Sequence, residues 1–207
     1  ADSLPRSLYG NISFSSDDLG FYYVQRSREI GPRVLYHTLG TKSEADRLIF
    51  GEGIAPTAFI NFSYHDEGEI LLFSVQHGWA RTDVYFQDLS SGKPIQTVVE
   101  GEDARFYTRY LDGELYMRTN LDADKNRLVA VDLGQPDREA WREVIPEGPD
   151  VLENFDLIDD RWYVTYLHDA SNRIEVFERN GTPAGEISVP KHHTAVIRGY
   201  REGTALL

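Results

Sequence analysis

Short apolar runs separated by polar turns recur along the whole chain. One set of strand pairs consists of an apolar strand, a polar turn and a second strand, and it covers residues 34–50, 84–99, 128–145 and 174–189. A second set lies just upstream of the first and covers residues 11–25, 60–75, 105–119 and 154–167. The spacing is roughly 45 to 50 residues, which is typical of propeller blades or solenoid units.

Four strands in each copy predict one propeller blade per copy. We therefore expect an all-β fold, a β-propeller fragment of about four four-stranded antiparallel blades plus a stub of a fifth. Within each blade the strands should follow chain order from the axis outward, because short hairpins leave no other simple route. The predicted blades cover residues 1–53, 54–100, 101–148 and 149–190, with the stub at 191–207.

The composition fits a β protein and excludes several functions. The chain has 12 Tyr, 10 Phe and 3 Trp for cross-strand packing, and no apolar stretch approaches the ~18 residues of a membrane helix. A net charge of -13 opposes nucleic-acid binding, which needs a clustered basic face. The chain has no cysteine, so disulfides and thiolate metal sites are excluded. We expect a cytoplasmic location, with a periplasmic or secreted one as the alternative.

No catalytic, metal or cofactor site is recognisable in the sequence. The pentapeptide Gly-x-Ser-x-Gly of a hydrolase nucleophile does not occur, and none of the 6 His lies near a recognisable nucleophile turn. Asp122, Asp124 and Asn126 imitate the opening of a calcium loop, but Arg127 replaces its glycine and Leu133 its glutamate. We interpret that segment as a polar hairpin between the second and third strands of the third blade. The adjacent His192 and His193 indicate a linker rather than a metal site.

The first strand of each predicted blade suggests a polar channel. In a propeller this strand runs nearest the axis, so alternate residues line the channel or pack between blades. Asn, Arg and Tyr side chains suit a wet channel better than a dry core. The predicted channel-lining residues are Asn11, Asn61, Arg105 and Tyr107, with Tyr9, Ser13, Phe59, Asn154 and Asp156 as further candidates.

Three runs of sequence resemble a known family. They are RVLYHTLGTKSEADRLIFGE at 33–52, DEGEILLFSVQHGWARTDVYFQDL at 66–89 and ENFDLIDDRWYVTYLHDASNRIEVFERNGT at 153–182. The chain resembles the propeller domain of the prolyl oligopeptidase family of serine peptidases, and the resemblance covers essentially its whole length. It implies a seven-bladed propeller that caps an α/β-hydrolase domain and admits only short peptides, which are cleaved after proline.

The resemblance also implies where the chemistry lies. In this family the catalytic triad belongs to the hydrolase domain, so the chain has no catalytic residue and should be inactive alone. Its implied partners are that missing domain and short peptide substrates, and the open blade faces should promote self-association. Tyr9, Phe59 and Trp79 are the positions nearest the family's substrate-contacting residues. The alternative is a stand-alone propeller that acts as a binding or scaffold module, because propellers host many functions.

Overall fold

The chain forms two compact units, Ala1–Asp103 and Ala104–Leu207. The computed structural model describes Leu4 and residues 12–189, 193–195, 197–199 and 205–206. Among these residues no helix is long and apolar enough to cross a membrane. The only helical segments in the described part are two single 3-10 turns, Ser43–Ala45 and Arg138–Ala140.

The first unit contains two antiparallel sheets of four strands each. The first sheet consists of β1 (Ile12–Phe14), β2 (Gly20–Ser27), β3 (Gly31–Thr38) and β4 (Arg47–Phe50). The second sheet consists of β5 (Phe59–His65), β6 (Ile70–His77), β7 (Arg81–Asp88) and β8 (Gln96–Val99).

The second unit contains two further four-stranded sheets and a short strand pair. The third sheet consists of β9 (Phe106–Leu111), β10 (Glu114–Thr119), β11 (Arg127–Val131) and β12 (Arg142–Ile145). The fourth sheet consists of β13 (Val151–Ile158), β14 (Arg161–His168), β15 (Ser171–Glu178) and β16 (Pro183–Ile187). The pair consists of β17 (Arg198–Gly199) and β18 (Ala205–Leu206).

The strands of all four large sheets lie side by side in chain order and are antiparallel. The predicted all-β class, with four four-stranded antiparallel sheets and a further short strand pair, is confirmed. Tight hairpins explain the order, because each tight turn places the next strand of the chain directly beside the previous one. The β9–β10 turn, for example, places Asp112 and Gly113 at φ of 50° and 80°, the left-handed conformation that such turns require.

The core of the first unit lies between its two sheets. Ile60 and Phe62 on β5 are buried, whereas their neighbours Phe59 and Asn61 are exposed, as the two-residue alternation of a strand requires. Phe50 of β4 stacks on Phe73 of β6, with the ring centroids 4.5 Å apart. Each buried side chain of this size stabilises the fold by roughly 1.5 to 3 kcal/mol.

The core of the second unit is built around Trp162 of β14, which is fully buried. Its ring packs edge-on against Tyr116 of the third sheet at a centroid distance of 4.6 Å. Its indole Nε1 donates a hydrogen bond of 3.1 Å to the Arg179 carbonyl, so the one polar atom of the side chain is satisfied. Ile197, close to β17, is buried against Ile158 and Ile174 of the fourth sheet.

Candidate functional site

Most of the candidate residues that the structure describes lie at corresponding ends of their sheets. Ser13 and Asp156 do not, because they pair with Tyr22 and Tyr163, toward the turn between the first and second strands. We use the term 2–3 end for the end at which a first strand begins, a second strand ends and the turn to the third strand lies. Phe59 and Asn61 lie in the first half of β5, and Trp79 lies in the β6–β7 turn. Arg105 and Tyr107 occupy the corresponding end of the third sheet. Tyr9 and Asn11 lie outside the described residues.

Phe59 is the partly exposed aromatic at the beginning of β5. The guanidinium carbon of Arg26, near the end of β2, lies 4.1 Å from the centroid of the Phe59 ring. This cation–π contact links the 2–3 ends of the first and second sheets. Phe59 and Asn61 share the face of β5 that points away from Ile60 and the core. The two side chains therefore lie on the exposed face of β5 at this end.

Trp79 is 97% exposed, although its turn is held firmly. The carboxylate of Asp83 is buried beneath the turn and lies 2.7 Å from His77 Nε2 and 3.5 Å from Arg81 Nη2. It also accepts a hydrogen bond of 3.0 Å from the Gly101 amide. One carboxylate therefore joins both sides of the hairpin to the segment that follows β8. The result is a fixed turn that presents a large aromatic ring to solvent.

Tyr107 is the centre of the polar cluster on the third sheet. Its ring is 45% exposed and packs edge-on against Phe155 of β13, with centroids 6.1 Å apart. The guanidinium carbon of Arg118, on the neighbouring strand, lies 5.3 Å from the Tyr107 ring centroid. Arg105 is exposed, and its amide donates a hydrogen bond of 2.7 Å to Asn120 Oδ1. Two arginines, Arg105 and Arg118, therefore lie near Tyr107 at the beginning of β9.

Arg109 is a residue of this cluster that the sequence analysis did not identify. Its guanidinium forms an ion pair with Asp156 of β13, and Nη2 lies 3.4 Å from Asn154 Oδ1. Burial raises the pKa of Asp156, while the Arg109 charge and its hydrogen bonds act in the opposite direction. The signal was present in the sequence, because Arg109 follows Tyr107 by two residues and so shares its face.

A second polar group that the sequence analysis missed lies at the 2–3 end of the fourth sheet. His168 Nδ1, at the end of β14, lies 3.0 Å from Asp150 Oδ1, just before β13. Arg173 Nη2 lies 3.1 Å from the other carboxylate oxygen of Asp150. The hydrogen bond to Asp150 raises the pKa of His168, and the same bond lowers the pKa of Asp150. Asp150 therefore joins His168 and Arg173 in one partly exposed polar group.

The acidic loop between β10 and β11 uses its side chains for structure. Asp122 accepts a hydrogen bond of 2.6 Å from Arg138, and Asn126 Nδ2 donates one of 2.8 Å to the Leu152 carbonyl. Within the described part of the chain, no group of three or more His, Cys, Asp or Glu could hold a metal ion. His193 is exposed, and its neighbour His192 lies outside the described residues.

Comparisons with known proteins match the chain along almost its whole length. A family model described as "Prolyl oligopeptidase, N-terminal beta-propeller domain" matches residues 1–205. The prolyl endopeptidase of Elizabethkingia meningoseptica is 29% identical over 193 residues, which are 88% of this chain and 27% of that protein. The prolyl endopeptidase of Dictyostelium discoideum is 27% identical over 196 residues, 85% of this chain and 25% of that protein.

Solved structures give the same result for the fold. A prolyl endopeptidase structure, from work on inter-domain dynamics in catalysis and specificity, matches with a TM-score of 0.83 and 25% identity, over 93% of this chain and 30% of that one. Apo prolyl oligopeptidase B from Galerina marginata has the same fold, with a TM-score of 0.74 and 18% identity over 92% of this chain and 28% of that one. The chain spans about a quarter of the length of the curated relatives that it matches.

Proposed function

Because the chain belongs to the family of N-terminal β-propeller domains of prolyl oligopeptidases, we propose that it is a non-catalytic, substrate-gating part of a longer serine endopeptidase. The match over residues 1–205 carries this proposal. The parent enzyme would cleave short peptides after proline with a Ser-Asp-His triad on an α/β-hydrolase domain. That domain is the proposed main partner of the chain, since the curated relatives are about four times as long as the matched segment.

Phe59 and Trp79 are the proposed substrate-facing residues. Both are aromatic, both lie at the 2–3 end of the second sheet, and Trp79 is almost fully exposed on a turn fixed by Asp83. An exposed indole on a rigid turn offers a peptide a large apolar surface at little cost in conformational entropy. Asn61, Arg105 and Tyr107 remain proposed channel-lining residues.

The division of labour can be tested by comparing the 207-residue chain with the protein in its full natural length. The chain alone should show no hydrolysis of a short peptide with an internal proline, because it encodes neither nucleophile nor oxyanion hole. The full-length protein should cleave the same peptide after proline and leave a folded protein substrate intact. Inhibitor-sensitive cleavage by the purified chain would contradict the non-catalytic assignment.

The role of Trp79 can be tested in the full-length protein with Trp79→Ala. The variant should lower kcat/KM for the short peptide about tenfold, which corresponds to a loss of about 1.4 kcal/mol of transition-state stabilisation. Leu19→Ala is the matched control, because Leu19 is 63% exposed in the β1–β2 turn, at the opposite end of its sheet. Equal kcat/KM for both variants and the wild type would remove Trp79 from the substrate path.

The same measurements distinguish the alternative of a stand-alone binding module. A coding sequence that ends near Leu207, with no Gly-x-Ser-x-Gly segment downstream, would favour that alternative and would leave the full-length protein without peptidase activity. A downstream Gly-x-Ser-x-Gly segment together with cleavage after proline would favour the gating function.

A further inference from the structure

A cluster of cationic groups lies at the 2–3 end of the third sheet, in a chain whose net charge is -13. Arg105 immediately precedes β9, Tyr107 lies on β9, and Arg118 is the register partner of Tyr107 on β10. The Tyr107 ring holds the Arg118 guanidinium by a cation–π contact of 5.3 Å. Arg118 therefore has a defined position close to Arg105 and to the exposed side of Tyr107.

No carboxylate forms an ion pair with Arg118 in the described part of the chain. There, neither the Arg118 nor the Arg105 guanidinium forms a hydrogen bond or an ion pair, and the Tyr107 hydroxyl has no hydrogen-bond partner. Burial lowers the pKa of Arg118, and the charge of Arg105 acts in the same direction. A partly buried cation without a partner costs free energy, which an anionic ligand would recover.

The neighbouring acidic side chains are engaged elsewhere. Asp156 pairs with Arg109 and accepts a hydrogen bond of 3.1 Å from Asn154. Glu153 acts to raise the pKa of Arg118, but it accepts a hydrogen bond of 3.2 Å from Asn172 and forms no ion pair with Arg118. Arg118, Arg105 and Glu153 together carry one excess positive charge among the groups whose charge acts on Arg118.

We propose that Arg105, Tyr107 and Arg118 bind a carboxylate of a peptide, either its C-terminal carboxylate or an acidic side chain. A guanidinium binds a carboxylate through two parallel hydrogen bonds, and the Tyr107 hydroxyl supplies a further donor. One unbalanced charge matches a monoanion better than a dianion such as phosphate. The assignment of this carboxylate to a peptide rests on the proposed function. The preference for a carboxylate is independent of it.

The test measures binding to the protein in its full natural length by calorimetry. The probe is the proline-free peptide acetyl-Ala-Gly-Ala-Gly with a free carboxylate, compared with the same peptide as its C-terminal amide; inorganic phosphate and acetate serve as competitors. The wild type should bind the carboxylate form about tenfold more tightly, and acetate should displace it more effectively than phosphate. Arg118→Gln and Arg105→Gln should each reduce the preference to less than about twofold.

Arg142→Gln is the matched control and should keep the full preference, because Arg142 lies on the outer strand β12 and already pairs with Glu114 at 2.9 Å. Arg105 is exposed, so its variant tests the proposal even if Arg118→Gln fails to fold. Equal binding of the two peptides by the wild type, stronger competition by phosphate, or a preference that survives both variants would overturn the proposal. If the wild-type protein does not cleave after proline but shows the carboxylate preference, only the proposed function is overturned.

Discussion

At the scale of single residues, burial gives chemically similar side chains different roles. Trp162 is fully buried in the second unit, whereas Trp79 is 97% exposed on a turn of the first. The same contrast applies to histidine. His65 lies in a partly buried position that lowers its pKa, whereas the exposed His168 gains a carboxylate partner that raises its pKa. Residue type alone therefore predicts neither the stability contribution nor the titration of these positions.

The two tryptophans provide a matched pair for stability. Trp162→Ala should lower the free energy of unfolding by roughly 3 to 5 kcal/mol, because it opens a cavity in the core and removes a satisfied indole hydrogen bond. Trp79→Ala should change the free energy of unfolding by less than about 0.5 kcal/mol, because the ring is solvated in the folded protein. Urea unfolding followed by circular dichroism measures both values, and equal losses would contradict the assigned positions.

The two histidines predict opposite responses of stability to pH. The raised pKa of His168 contributes stability that is present below its unfolded value of about 6.5 and is lost as pH rises through the folded value. The lowered pKa of His65 reduces stability as pH falls from that unfolded value through the folded one. Relative to the wild type, His168→Gln should therefore be less stable at pH 5.5 than at pH 8.5, and His65→Gln the reverse. Parallel curves of unfolding midpoint against pH would contradict both assignments.

At the scale of elements, one buried network connects strands β2 and β3 of the first sheet to the residue that precedes β4. Asp46 follows the Ser43–Ala45 turn; its carboxylate accepts a hydrogen bond of 2.7 Å from the Tyr23 hydroxyl and lies 2.7 Å from His37 Nδ1. The side chains of His37 and Asp46 are 0% and 2% exposed. This contact explains the sequence YHTLGT followed by an acidic stretch, because the turn returns a carboxylate to the histidine of β3.

Removing that carboxylate should destabilise the first sheet. Asp46→Ala leaves His37 and Tyr23 buried without their shared acceptor, and it should lower the free energy of unfolding by about 3 kcal/mol. Glu44→Ala is the control, because Glu44 is an exposed acidic residue of the same turn. Thermal unfolding of the two variants measures the difference. A loss that is equal in both would mean that the charge of the turn, rather than the buried network, stabilises the strand.

At the scale of the whole molecule, apolar side chains remain exposed on the first sheet. Ile12 and Phe14 on β1 are each 59% exposed, and Leu19 in the following turn is 63% exposed. Such a patch promotes association, and β1 is an edge strand that another chain could extend. The net charge of -13 opposes association, but salt screens it within ~8 Å at physiological ionic strength.

We therefore predict that the 207-residue chain associates with itself at physiological salt. Light scattering at high micromolar concentration should give a mass above that of one chain, and the double variant Ile12→Ser, Phe14→Ser should shift it toward the monomer. Leu39→Ser is the control, because Leu39 is 45% exposed but lies at the β3–β4 turn rather than on the edge strand. A strictly monomeric wild type would contradict the prediction.

Local sequence determined the strands, their order and the family of this protein. Hairpin turns such as Asp112-Gly113 and the alternation along β5 act over a few residues, so they can be recognised without knowing the distant contacts. The same local patterns placed Phe59 and Tyr107 among the candidate residues, and the resemblance to the family added Trp79. Their roles as substrate-facing and channel-lining residues remain predictions.

Only the tertiary structure decided how the polar side chains pair. Arg109 meets Asp156 across 47 residues of sequence, and Tyr23 meets Asp46 across 23. The first pair depends on how closely the first strands of two neighbouring sheets approach each other, and the second depends on where the turn before β4 places Asp46. No local pattern specifies either of these. Arg109 has an ion pair and Arg118 has none among the described residues, although both are arginines beside the same tyrosine. Position relative to the Asp156 carboxylate, rather than residue type, gives the two arginines different chemistry.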